Sequence, residues 1–113
     1  MNVVKSYKDL KVWQKSMEMV KDAYLLSKRL PKDETYALRD QIRRSAVSIP
    51  SNIADGQGRE SDKEFFRFLS IAKGSICELV TQIQLCVLVG YLENSDISQT
   101  ELLASEVSKM ITS

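Results

Sequence analysis

Histidine is absent from this 113-residue chain. The commonest metal ligand, and the side chain best suited to general base work near neutrality, is therefore missing. Helix breakers are scarce, with 2 prolines and 4 glycines, and strand-like alternation of apolar and polar residues is lacking. Together these favour helices. Neither sign of charge dominates: 16 Lys+Arg against 15 Asp+Glu leaves +1. That balance argues against a strongly electropositive nucleic-acid binder and leaves local patches open. The longest apolar run, Leu85 to Val89, is far too short to span a bilayer. The opening MNVVKSYKDL has no apolar stretch long enough for a secretion signal. A cytoplasmic protein with no membrane partner is expected.

Cysteine is scarce too. On a helix, Cys77 and Cys86 would be separated by about 13.5 Å of rise and about 180° of turn. They cannot pair within one chain. Buried, reduced thiols that behave as small hydrophobes are expected, with no bound metal or other cofactor.

What is present reads as one domain over residues 1–113. Apolar residues at 43% and charged residues at 27% match an ordinary globular chain, and this length supports a single core without staples. Four helices can be marked out. The first runs from Asp9 to Arg29, with Ser6 as N-cap, and stops before Pro31. Leu10, Trp13, Met17, Val20 and Tyr24 form a heptad-like stripe. Val12, Met19, Ala23, Leu26 and Leu30 form a second set about 120° around the helix. Two apolar faces imply a helix deep in a bundle or one that meets another subunit. Val12, Met19, Ala23 and Leu26 are the candidate oligomer face.

The second helix runs from Asp33 to Asp55, with a stripe of Leu38, Ile42, Ala46, Ile49 and Ile53. Pro50 removes the bond to the Ala46 carbonyl, so a kink is expected. Asn52, Ser48 or Ser51 is placed to satisfy that carbonyl. Gly56 is the expected helix stop. The third helix opens on the capping box Ser61-x-x-Glu64. Phe65, Leu69, Ala72, Ile76, Leu79, Ile83 and Cys86 follow at spacings of 4 and 3, and deep burial is expected near its end at Gly90. The fourth starts near Asp96, with Ser98-x-x-Glu101 as a second capping box, and carries Leu102, Leu103, Val107, Met110 and Ile111. Short connections predict an antiparallel up-down-up-down four-helix bundle.

With the helices placed, several stretches resemble one small family. They are Lys11-Val12-Trp13-Gln14-Lys15, Glu34-Thr35-Tyr36-Ala37-Leu38, the block QIRRSAVSIPSNIADG from Gln41 to Gly56, Ile71-Ala72-Lys73-Gly74-Ser75 and Gly90-Tyr91-Leu92. The family is that of four-helix bundle proteins encoded within intervening sequences of bacterial 23S rRNA genes, also called S23 ribosomal proteins. Two departures stand out: Asp55 replaces the usual glutamate, and members commonly extend the last helix beyond Lys109-Met110-Ile111. The resemblance implies an all-α fold, no enzymatic activity and assembly as a homopentameric ring. A relative in diversity-generating retroelements binds nucleic acid and a reverse transcriptase, which makes nucleic acid or a nucleic-acid-processing protein a candidate partner.

Motifs for chemistry are thin. Gly56-x-Gly58 follows a helix and has no third glycine or Gly-Lys-Ser/Thr, so it reads as a turn and not a phosphate loop. Asp62 and Glu64 suit the first turn of a helix, where negative charge is favoured. No nucleophile–base pair is legible, so no catalytic residue and no small-molecule substrate is expected. Pro50, Asn52, Asp55, Gly56 and Gly58 are the expected kink-and-turn residues. Arg39, Arg43, Arg44, Arg59, Lys63 and Arg67 are the candidate phosphate contacts. Salt bridges to Asp40, Asp55, Glu60 or Glu64 are the alternative use for the same side chains.

Overall fold

The structure, a computed structural model, describes residues 6–112. These residues form four α-helices, α1 (Lys11–Ser27), α2 (Leu38–Gly58), α3 (Asp62–Leu88) and α4 (Asn94–Thr112), with short 3-10 turns at Tyr7–Asp9 and Lys32–Glu34. Each helix packs on its neighbours in sequence, and α4 closes on α1. The bundle is 49 Å long. Side-chain contacts show the helix directions. Ser45 meets Gln82 at 2.7 Å and Ser48 meets Ser75 at 2.8 Å, so positions climb α2 as they descend α3. Arg29 pairs with Asp96 and Lys15 with Glu106 in the same opposed sense.

The core is built from one line per helix. On α1 that line contains Met19, Ala23 and Leu26, and Leu30 continues it just past the helix end, all buried. Ser16 lies on it as well, fully buried, because its hydroxyl donates to the Trp13 carbonyl at 2.7 Å and leaves nothing unpaired. The heptad-like stripe lies to the side: Met17 is exposed, while Leu10, Trp13 and Val20 are partly buried against the core. The residues expected to form an oligomer face are therefore core residues. Met19, Ala23 and Leu26 are buried, and Val12 is half-buried against the same cluster.

On α2 the buried line runs Ile42, Ala46, Ile49, Ile53. The helix starts at Leu38 rather than Asp33, which lies in the preceding 3-10 turn. Pro50 is inside α2 and buried. The expected relief of the Ala46 carbonyl is not made by the nearby polar groups. Asn52 donates to the Ser48 carbonyl and Ser51 to the Val47 carbonyl.

Gly56 does not stop α2, which continues to Gly58; the left-handed residue beyond it is Glu60, at φ 57°. Gly56 is buried because α3 crosses close by: a Cβ there would stand 2.6 Å from the Cβ of Phe68. Size, not turn geometry, requires this glycine.

On α3, Ala72, Ile76, Leu79, Ile83 and Cys86 line the core. Ser61 caps the helix, its hydroxyl accepting from the Glu64 amide at 3.4 Å. The helix closes at Gly90, φ 88°, with the Tyr91 amide bonded to the Cys86 carbonyl, a left-handed stop of the usual kind. Its end is less buried than its composition suggests, since Leu85, Leu88 and Val89 are exposed. Cys77 is exposed as well; only Cys86 is buried, and burial raises its thiol pKa. By length and composition alone α3 could cross a membrane. It packs on α2 on one side and α4 on the other, as a core helix does, and leaves part of its apolar surface exposed.

Helix α4 begins at Asn94, so Ser98 is interior and its hydroxyl donates to the Ser95 carbonyl. The start is held by Asp96, which accepts from the Glu93 amide and from Arg29, each at 2.8 Å.

Candidate functional site

The six candidate phosphate contacts fall into two groups. Arg39, Arg43 and Arg44 lie in the first half of α2, beside the end of α1. Arg39 donates to the Leu30 carbonyl and, at 3.4 Å, to the Thr35 hydroxyl. Arg43 donates to the Ser27 hydroxyl at 2.9 Å and lies over the Tyr24 ring, 5.0 Å from its centroid. Both side chains are half-buried. They tie α2 to the last turn of α1, where a cation also suits the helix dipole. Arg44 points outward, one helical turn from Asp40, and pairs with it at 2.9 Å.

Arg59, Lys63 and Arg67 surround the turn between α2 and α3. Arg59 pairs with Asp55 at 3.0 Å, and Arg67 with Glu64 at 2.9 Å. The two guanidinium groups lie over the same Phe68 ring, 5.0 Å and 4.6 Å from its centroid. The Arg67 hydrogen bond holds the Glu64 carboxyl below its ordinary pKa, and Glu64 in turn raises that of Arg67. Glu64 is thereby engaged by arginine. The capping box is made on its serine side only. Among the described residues, Lys63 has no ion-pair partner.

The two groups do not form one surface. Arg43 and Arg59 are separated by sixteen helical residues, about 24 Å of rise. The salt-bridge reading holds for Arg44, Arg59 and Arg67, whose partners are Asp40, Asp55 and Glu64. These pairs are exposed or half-exposed, so solvent screens them and each adds little to stability.

Of the kink-and-turn residues, Asn52 binds within α2, Asp55 holds Arg59, Gly56 admits Phe68 and Gly58 ends the helix. The described residues contain no cluster of His, Cys, Asp or Glu that could hold a metal. Tyr91 donates to Glu34 at 2.7 Å, which raises the phenol pKa. That is the opposite of what a phenolate nucleophile requires.

Two surface features stand apart from the candidate residues. Phe66 is 66% exposed and Leu88 79% exposed; the sequence already places both off the Ala72–Ile76–Leu79–Ile83 line, and what differs from expectation is the exposure near the helix end. The second feature is an apolar groove of about 430 Å3 along the α3–α4 seam, lined by Ile76, Cys77, Val80, Ala104, Ser105 and Ser108 among others. It exists because small side chains face each other there.

Comparisons with known proteins agree with this geometry. Residues 8–113 match the model of the 23S rRNA-intervening sequence protein family. A solved structure from Bacteroides thetaiotaomicron, described as a protein with unknown function from the S23 ribosomal protein family, is similar in fold at TM-score 0.81. The two are 25% identical over 88% of this chain and 94% of that one. Among curated proteins none matches.

Proposed function

The chain belongs to the 23S rRNA-intervening sequence protein family, and from that premise we propose that it is a non-enzymatic, self-associating interaction module of the cytoplasm. One observation carries this reading: large apolar side chains stand together in solvent at the end of α3, with Leu85 at 40%, Leu88 at 79% and the adjoining Val89 at 54% exposure. Exposed apolar surface of this kind marks interaction sites. The exposed residues are not those of the α1 face first expected, which is core. A ring of five is the copy number that the family resemblance implies, with a second copy of the chain as the partner. Native mass spectrometry of the purified protein counts the copies, and a single copy at all concentrations would contradict the reading. Reproducible turnover of a substrate would contradict its non-enzymatic part.

A second reading, binding of nucleic acid or of a protein that processes it, is favoured by the α2–α3 turn. There Lys63 has no ion-pair partner among the described residues, and Arg59 and Arg67 pair with solvent-accessible carboxylates and lie over the Phe68 ring. It predicts salt-dependent binding of structured RNA or DNA, weakened by Arg59→Ala with Lys63→Ala. Arg43→Ala is a poor probe, since Arg43 ties α1 to α2.

A further inference from the structure

The two flanks of α3 are unlike. Residues 78, 82, 85 and 89 follow one line at helical spacing, and the bond between Gln82 and Ser45 turns that line toward α2. Residues 73, 77, 80 and 84 follow another, turned toward α4 by the bond from Gln84 to Glu101. The two lines lie about 140° apart around the helix. The first carries Leu85 and Val89 in solvent, with Leu88 beside it on the outward side. The second borders the apolar groove, which Cys77, Val80 and Ala104 line. The chain thus presents an aliphatic projection on one flank and an apolar hollow on the other.

We infer that the groove seats Leu85 and Leu88 of a neighbouring copy, so that the α2-side flank of each copy meets the α4-side flank of the next. A contact between two different patches is heterologous, and it closes into a ring when the rotation between copies allows. The two flanks stand less than 180° apart, so successive copies all turn toward the α3 side. That turn suits a closed ring with α3 along its inner wall. The spacing of projection and hollow agrees as well. Leu85 and Leu88 are three residues apart, as are Cys77 and Val80, so one shift of eight residues, about 12 Å, seats both. The same shift brings Glu78 to the level of residue 70, about 5 Å from the level of Lys73 and within reach of its side chain. Neither Glu78 nor Lys73 has an ion-pair partner among the described residues. Arg44, one turn before Ser48 on the same side of the bundle as Glu78, is already paired with Asp40.

This inference rests on the self-association reading and names the surfaces it uses. The test reads mass and dissociation constant by light scattering and sedimentation, and the reactivity of the exposed Cys77 thiol toward a maleimide. Leu88→Lys and Ser105→Trp, which fills the groove, are each expected to weaken assembly about tenfold or more. Leu102→Lys, exposed but outside the groove, is expected to leave it unchanged. Glu78→Lys weakens it, and adding Lys73→Glu restores it. Where the wild type is assembled, Cys77 is expected to react several-fold more slowly than in dissociated Leu88→Lys, while Cys86 is buried and silent. Every substituted position is exposed, so circular dichroism is expected to stay unchanged. An assembly that ignores both Leu88→Lys and Ser105→Trp, or in which Cys77 reacts as fast as in the dissociated variant, overturns this contact and leaves self-association standing. A monomeric wild type overturns both.

Discussion

Two glycines inside helices carry opposite expectations. At Gly56 a methyl group would meet the Cβ of Phe68 at 2.6 Å, and neither atom is the far end of a flexible chain. Gly56→Ala is expected to cost about 1–3 kcal/mol, read as a lower midpoint in urea. At Gly74 a Cβ meets nothing within 4 Å, so Gly74→Ala is expected to add about 0.5–1 kcal/mol by helix propensity. The arginines divide in the same way. Arg39→Ala removes the half-buried donor to the Leu30 carbonyl and is expected to cost about 1–3 kcal/mol. Arg44→Ala breaks only an exposed pair and stays within about 0.5 kcal/mol. The sequence names all six basic residues without distinguishing these uses, because the distinction depends on what α1 places opposite each one. Likewise Gly56 looks like a stop until Phe68 is seen beside it.

At the scale of elements, helix existence was legible and the faces and ends less so. The capping serine of α3, the glycine that ends it and the apolar lines of α2 and α3 were readable; on α4 Leu103 and Val107 are buried as expected, while Leu102 and Met110 are exposed. The α1 face was misassigned because its true line contains Ser16, whose buried hydroxyl is satisfied by the Trp13 carbonyl and so mimics a surface residue in sequence. The start of α4 was misplaced because its cap reaches backward, from the Asp96 carboxylate to the Glu93 amide. Ser61→Ala is therefore expected to cost about 1 kcal/mol, whereas Ser98→Ala costs little. Asp96 also links stability to pH. The Glu93 amide, and then Arg29, hold its carboxyl below the ordinary aspartate value. Its contribution is present above the unfolded-state pKa and is lost as pH falls through the lower folded-state value. Thermal melts across the acid range are expected to show this loss in the wild type and less of it in Asp96→Asn. An unchanged acid profile in Asp96→Asn would rule the link out.

For the whole molecule, the sequence contained enough to reach the bundle and the family, because both rest on periodicity and on a long ordered motif. The candidate interaction surface was only partly visible. Apolar residues in α3 exceed what one core line needs, yet which of them stand in water depends on how closely α4 packs against it. The bundle leaves Leu85, Leu88 and Val89 uncovered and the α3–α4 seam open, and self-association is the use proposed for them. The most direct test is the mass of the wild-type protein in solution, by multi-angle light scattering at micromolar concentration. A stable multiple of 12.8 kDa is the predicted result, and a stable 12.8 kDa monomer would contradict the account.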